Sequence, residues 1–241
     1  MKLSNRLQKV ADFIEQDSIV VDVGTDHGYI PIYLIENKIS KYVYATDINQ
    51  GPLNSAKIQI EEHGYQDFIE PMLSNGLKKM IGVKPTQIII AGMGGVLIKE
   101  IIADSLEMAK KADSLVLQPM TGQDELRKYL LSAGFEILDE ELAKEKHRIY
   151  QIILAKYTGK IDDSWNEIDF YLGKRLLEKN HLFLEALIDK YEKKWLSINR
   201  KCKESKSNST IERISESEKM LMQIERLKHE YNLRKNSRNN R

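Results

Sequence analysis

Residues 19–31, I-V-V-D-V-G-T-D-H-G-Y-I-P, decide the fold. Ile19, Val20, Val21 and Val23 surround Asp22 with β-branched apolar side chains, and the run then collapses into a loop punctuated by Gly24 and Gly28. That pattern predicts a buried strand feeding a tight turn, with a helix starting after Gly28. Glycines there let main-chain N–H groups approach a ligand closely, so a nucleotide-like ligand suits the turn. The dinucleotide fingerprint G-x-G-x-x-G would need glycines at 24, 26 and 29, where the chain has Gly24, Asp26 and Tyr29, which disfavours a nicotinamide or flavin. A strand-to-helix turn that binds nothing is the plain alternative.

Working outward, Leu3, Leu7, Val10 and Ile14 share one helical face and predict an amphipathic helix from residue 3 to about 16. Strand-like runs follow at 19–23, 42–46, 68–73, 87–91 and 114–118, each separated by a segment of helical spacing. Such alternation means right-handed crossovers and a parallel sheet covered on both faces. The rhythm then changes, because the runs 135–142 and 148–156 are joined only by a short charged turn, which forces an antiparallel pair.

The polar stretch from Lys156 to Ser164 carries Gly159, and we expect the first domain at 1–158 and a second at 159–241. Trp165, Ile168, Leu172, Leu176, Leu184, Leu187, Tyr191 and Ile198 hold one helical face, as do Ile211, Ile214, Leu221, Ile224 and Leu227 after K-S-N-S-T. Ser209 with Glu212 reads as a capping box opening the second helix. Two long helices joined by a short link predict an antiparallel, coiled-coil-like hairpin. From Asn236 onward the chain has no core to join and is expected to lack structure.

At 241 residues the chain has room for one α/β domain and a smaller appendage. The uncharged run 87–98 is far short of a membrane span, the first residues form no apolar leader, and Cys202 stands alone. These features predict a soluble cytoplasmic protein; the scattered histidines predict no metal. Of 37 Lys+Arg and 36 Asp+Glu, 19 and 14 lie from Lys160 onward, leaving 18 and 22 before it. The basic second half suits an anionic partner such as RNA, although a merely solvated Lys-rich helix reads the same way.

Chemistry-bearing residues gather where the strands end. Asp47 closes the second strand, where a carboxylate can accept both ribose hydroxyls of a nucleoside or simply cap a helix. Ser74-Asn75-Gly76 follows the third strand and is either a ligand contact or an N-G turn. The fourth ends I-I-I-A-G-M-G-G, residues 88–95, whose glycines imply close backbone approach, and the fifth ends with Gln118 and Pro119 on the same rim.

In order and spacing, L-S-N-R-L, D-V-G-T-D-H-G-Y-I-P, G-P-L-N-S-A, S-N-G-L, I-A-G-M-G-G-x-L-I and L-Q-P resemble the TrmK family of bacterial tRNA (adenine-22-N1)-methyltransferases. The resemblance implies a Rossmann-like, seven-stranded class I methyltransferase sheet, its last strand antiparallel between the fifth and sixth, followed by a helical coiled coil. It implies S-adenosylmethionine (SAM) as cofactor, S-adenosylhomocysteine as product, tRNA as partner and no metal. Cofactor contacts then fall on Asp22, Gly24, Thr25, His27, Gly28, Asp47, Ile48, Asn75, Gly76, Ala91, Gly92, Met93 and Gly94. Asn75 departs from the Asp common in the family, which bears on how adenine is held. Adenine N1 becomes cationic on methylation, so Asp26 is the candidate catalytic carboxylate, its alternative being a helix cap. Arg6, Tyr29, Gln118, Pro119 and Arg127 are candidate RNA contacts, and a monomer is expected. A small-molecule methyltransferase and a SAM- or RNA-binding module without activity are the rival readings.

Overall fold

The computed structural model describes residues 1–204 and 210–239. Its contacts divide the chain into two compact units, Met1–Ser164 and Trp165–Arg241.

The first unit runs α1 (Asn5–Ala11), β1 (Ser18–Val23), α2 (Tyr29–Glu36), β2 (Ser40–Asp47), α3 (Gln50–Glu62), β3 (Ile69–Leu73), β4 (Gln87–Gly94), α4 (Gly95–Asp104), α5 (Leu106–Lys111), β5 (Ser114–Thr121), α6 (Gln123–Ser132), β6 (Phe135–Glu145) and β7 (Arg148–Tyr157). The seven strands lie in the order β3-β2-β1-β4-β5-β7-β6. Neighbours from β3 to β5 are parallel, and β7 pairs antiparallel with both β5 and β6. Strands buried on both faces need continuous apolar runs, and Val20, Val21, Ile88, Ile89, Ile90, Val116 and Leu117 are accordingly sealed from solvent. The chain leaves β1 toward β2 and β3, then crosses back to lay β4 on the other side of β1. That reversal opens a crevice at the carboxyl ends of β1 and β4, where ligands bind in open parallel sheets. At the same rim Gly95 opens α4 against the backbone of Gly122, and a Cβ on Gly95 would stand 2.2 Å from the Gly122 carbonyl oxygen.

The first helix is shorter than its apolar spacing predicts, because after Ala11 the chain tightens into turns that still bury Ile14. Gln87 at the start of β4 ties that segment down: it donates to the Phe13 carbonyl and to Ser114 Oγ, and accepts from the Glu15 N–H at 2.7 Å.

The elements of the second unit's described residues are all helices: α7 (Glu167–Leu172), α8 (Lys174–Glu178), α9 (Leu184–Glu204) and α10 (Thr210–Asn239). The single long helix expected over 165–198 is broken into three, since Gly173 at φ 89° and Asn180 at φ 50° turn the chain left-handed. The apolar register survives the breaks, and Trp165, Ile168, Leu172, Leu176, Leu184, Leu187 and Tyr191 are all buried. Pairs Lys228–Glu192, Asn199–Ser217 and Lys203–Glu218 show α9 and α10 running antiparallel. On α10 the seam is Ser217, Met220 and Ile224, while Ile211, expected on the apolar face, is 68% exposed. Ser209, half of the expected capping box, lies outside the described residues. Helical backbone extends to Asn239, past the point where structure was expected to end; once a helix is nucleated by packing, each further residue adds one hydrogen bond.

Candidate active site

Ser4, Arg6 and Leu7 from α1, Asp22 from β1, Gly24, Thr25, Asp26, Tyr29 and Ile30 from the loop and α2, Asp47 from β2, and Ala91, Gly92 and Met93 from β4 enclose a cavity of about 510 Å³. It lies in the crevice that the strand order creates. Gly24 sits at φ 77°, where a side chain is strained, and its Cβ would meet the Met93 methyl at 2.2 Å.

The loop does not present all its amides to a ligand, as its glycines suggested. The N–H groups of Gly24 and Thr25 both donate to the Thr46 carbonyl, at 2.8 and 2.9 Å, and that of Gly28 donates to the Thr25 carbonyl. What the cavity offers instead is side-chain polarity. Asp22 is 4% exposed, and burial pushes its carboxyl up to about 7, opposed by Thr25 and reinforced by the negative charge of Asp47. The Thr25 hydroxyl is buried with no hydrogen-bond partner of normal geometry. Asp47 accepts from the Asn49 N–H at 2.8 Å through Oδ1, leaving Oδ2 without a partner among the described residues.

Asp26 stands at the mouth, its side chain 67% exposed, with Oδ1 3.6 Å from His27 Nε2. Its φ of 52° is left-handed, a conformation Asp tolerates better than most residues. The N-cap of α2 is Gly28, without a side-chain cap, so Asp26 does not serve as that cap. The rings of His27 and Tyr29 lie 5.3 Å apart at 33°, and Tyr29 lines the cavity while His27 does not.

Gly28, Ile48, Gly94, Asn75 and Gly76 fall outside the lining. Ile48 is exposed beside Asp47, and Gly94 caps α4. Asn75 is exposed in a turn beyond β3, which is tied to β2 by the Ser74 N–H on the Asp47 carbonyl.

Three expected RNA contacts are corrected. Arg127 is fully buried, its guanidinium bound to Glu140 at 2.6 Å and to Gln151 at 2.6 Å, and it cannot reach a phosphate. Gln118 and Pro119 are buried as well. Both ends of the Gln118 amide are engaged: Oε1 accepts from Arg6 Nη1 at 2.7 Å and from the Gly92 N–H at 3.2 Å, while Nε2 donates to the Pro119 carbonyl. Arg6 is thereby held in the cavity wall, 5.7 Å above the Tyr150 ring. Ser4 and Leu7 were not anticipated as lining residues, although for Ser4 the polar positions inside L-S-N-R-L were the available signal.

Among the described residues no helix is long and apolar enough to cross a membrane, and no cluster of three or more His, Cys, Asp or Glu could hold a metal ion.

The chain matches a methyltransferase domain family over residues 3–153. It is 32% identical over 190 residues to the tRNA (adenine(22)-N(1))-methyltransferase of Bacillus subtilis, covering 77% of this chain and 79% of the relative. The crystal structure of the B. subtilis m1A22 tRNA methyltransferase TrmK superimposes with a TM-score of 0.83 at 25% identity, over 94% of this chain and 98% of that one. TrmK of M. capricolum, solved with S-adenosylhomocysteine, gives 0.79 at 26% identity, over 96% and 99%. With its seven-stranded sheet and polar rim cavity, this chain belongs to the tRNA (adenine(22)-N1)-methyltransferase family.

Proposed function

We propose that this chain transfers a methyl group from SAM to N1 of adenine 22 in tRNA, and that the rim cavity holds the methyl donor. The observation that carries the reading is a crevice with three carboxylates, Asp22, Asp26 and Asp47, in a member of this family. Bound there, SAM supplies a methyl group on a cationic sulfur that leaves as a neutral thioether. The residues fit such a ligand. Asp47 keeps one oxygen for the ribose hydroxyls, the Thr25 hydroxyl, without a partner of normal geometry, can meet a polar group, and Asp22 can meet positive charge.

Adenine N1 carries a free lone pair and becomes cationic on methylation, so the chain needs no covalent nucleophile. Its work is positioning and electrostatics. Asp26, beside the cavity mouth, places a carboxylate where charge grows on the ring. Tyr29 and His27 offer aromatic faces against which a base can stack. The helical unit, with its surplus of Lys and Arg, adds grip on the tRNA backbone, and we expect a cytoplasmic monomer.

The test is methylation of an unmodified tRNA transcript by the full chain with SAM, read as 1-methyladenine by mass spectrometry. Methylation that disappears when adenine 22 is replaced by guanine is expected; none, or transfer only to small amines, would overturn the reading. Asp26→Asn keeps the left-handed turn while removing the charge. Because water screens so exposed a group, the single-turnover rate should fall about ten- to a hundredfold, with SAM and tRNA affinities unchanged within a few-fold.

A further inference from the structure

The two longest strands of the sheet, β6 and β7, are 11 and 10 residues long and join at its carboxyl rim. Ile153 stands opposite Leu117, so Arg148 lies five residues further toward the rim, while β5 ends four residues further, at Thr121. The tip of the hairpin therefore overtops the strand beside it. It reads K-E-K-H-R, residues 144–148, and Lys144, Lys146, His147 and Arg148 are all exposed. Glu145 and Arg148 close the ladder, which leaves Lys146 and His147 as a two-residue loop. Such loops favour Gly, Asn or Asp at a left-handed position, yet Lys146 takes it here, with φ 52°. Turn chemistry alone does not call for a cation there.

The one acid of the stretch is engaged elsewhere. Glu145 Oε1 accepts from the Arg6 N–H at 2.7 Å. Burial pushes its carboxyl up, but that bond, Ser4 and the Arg6 charge outweigh this and hold it below the usual carboxylate range. Asn5 Nδ2 donates to the Lys144 carbonyl at 3.2 Å. The start of α1 thus bolts the hairpin to the wall of the rim cavity, which Ser4 and Arg6 line. Arg148 faces Glu145 across the ladder without pairing with it, and among the described residues the side chains of Lys146, His147 and Arg148 form no hydrogen bond or ion pair.

We infer that this hairpin tip is the sheet unit's own contact for tRNA phosphates, with Lys146 and Arg148 holding the backbone beside the target nucleotide. The inference rests on the reading of tRNA as the substrate. Adenine N1 lies on the edge used in base pairing, so the base must leave its partner and its stack to reach the cavity, at a cost that contacts outside the cavity have to offset. The phosphates flanking an extruded base stay at the mouth. On the β1 side of that mouth the exposed Asp26 repels them. On the β5 side the hairpin offers cations at a fixed height, and contacts to phosphate set register without reading sequence.

The test measures binding of an unmodified tRNA transcript to the full chain by fluorescence anisotropy across a salt series. In Lys146→Asn/Arg148→Gln both charges are lost, and Asn suits the left-handed turn, so the melting temperature should not fall. Affinity should drop about five- to thirtyfold, and the slope of log affinity against log salt should flatten by about 1.4–1.8, as two phosphate contacts require. S-adenosylhomocysteine affinity should stay within about twofold of native. Lys146→Arg/Arg148→Lys keeps both charges and should bind tRNA within about threefold of native. The loss should be the same for a transcript with guanine at position 22. Native-like binding and slope in the neutralised variant overturn the inference. So does an equal loss in Lys84→Gln/Lys111→Gln, two exposed lysines ahead of β4 and β5 at the opposite edge of the sheet. A loss confined to one transcript also overturns it, since the tip would then read a base. If the native chain binds no tRNA, the proposed function itself falls, whereas native-like binding by the neutralised variant strikes the hairpin alone.

Discussion

Two clusters of charge are buried in the sheet unit, and they are built in opposite ways. Beneath α6, Arg127 is enclosed by Glu140 and Gln151, all three sealed from solvent, with contacts of 2.6–2.7 Å. At the rim, Asp22 is nearly as buried, yet its neighbours are another carboxylate, Asp47, and a hydroxyl on Thr25 that lacks a partner of normal geometry. The first cluster is complete in the protein alone. The second carries an acid held up to about 7 beside a hydroxyl without a partner of normal geometry, polarity that suits a ligand site. Breaking each cluster should therefore have opposite consequences.

The largest effect is expected at Arg127. Arg127→Met leaves Glu140 buried without its counter-charge and should cost about 3–5 kcal/mol of stability in denaturant unfolding. Adding Glu140→Gln should restore a large part of that loss. If Arg127→Met unfolded like the native chain but bound tRNA poorly, the cluster would be functional after all.

Asp22→Asn should do the reverse. The carboxyl is raised from 3.8 to about 7 in the folded chain, so between those values the folded state holds a proton that the unfolded state has lost. Stability therefore falls as pH rises from about 4 to 7 and is flat on either side. Removing the acid should stabilise the ligand-free protein above pH 7 by at most about 4 kcal/mol and leave it unchanged below pH 4. SAM affinity should drop at the same time. In the native chain affinity should weaken as pH falls below about 7, because the bound ligand favours the ionised acid. Thermal melts across pH 4–8 check the first statement, and calorimetry in two buffers of different ionisation heat checks the proton release.

The contrast also marks what the sequence could disclose. The sheet was legible because buried parallel strands leave continuous apolar runs, and the change from long crossovers to the short turn at 146–147 announced the antiparallel β6–β7 pair. Asp22, Thr25, Asp47 and the glycine-rich end of β4 were legible as neighbours around one cavity because they occupy the rim positions of this topology. Arg127 and Gln118 were not. Both lie where an exposed cation or rim amide would also lie, and their burial is decided by Glu140, Gln151 and Arg6, partners 13, 24 and 112 positions away. The breaks at Gly173 and Asn180 stayed hidden for a related reason: the apolar residues on either side keep helical spacing through both turns.

Thr25→Val sharpens the comparison with the smallest change. Valine has nearly the volume of threonine and the same branching at Cβ, so the loop keeps its shape and only the hydroxyl is lost. A buried hydroxyl without a partner of normal geometry carries a desolvation cost that its interaction with Asp22 offsets only in part, and its removal should stabilise the ligand-free chain by about 1 kcal/mol, a rise of a few degrees in melting temperature. The same change takes a polar contact from the cavity, so affinity for S-adenosylhomocysteine should fall a few-fold. The two readouts must move in opposite directions. Thr25 also helps to hold the Asp22 carboxyl down, and that help would be lost, which should shift the proton release on binding to higher pH. If Thr25→Val instead melts lower in the absence of ligand, its hydroxyl is already satisfied by Asp22. The rim would then resemble the Arg127 cluster more closely than its geometry indicates.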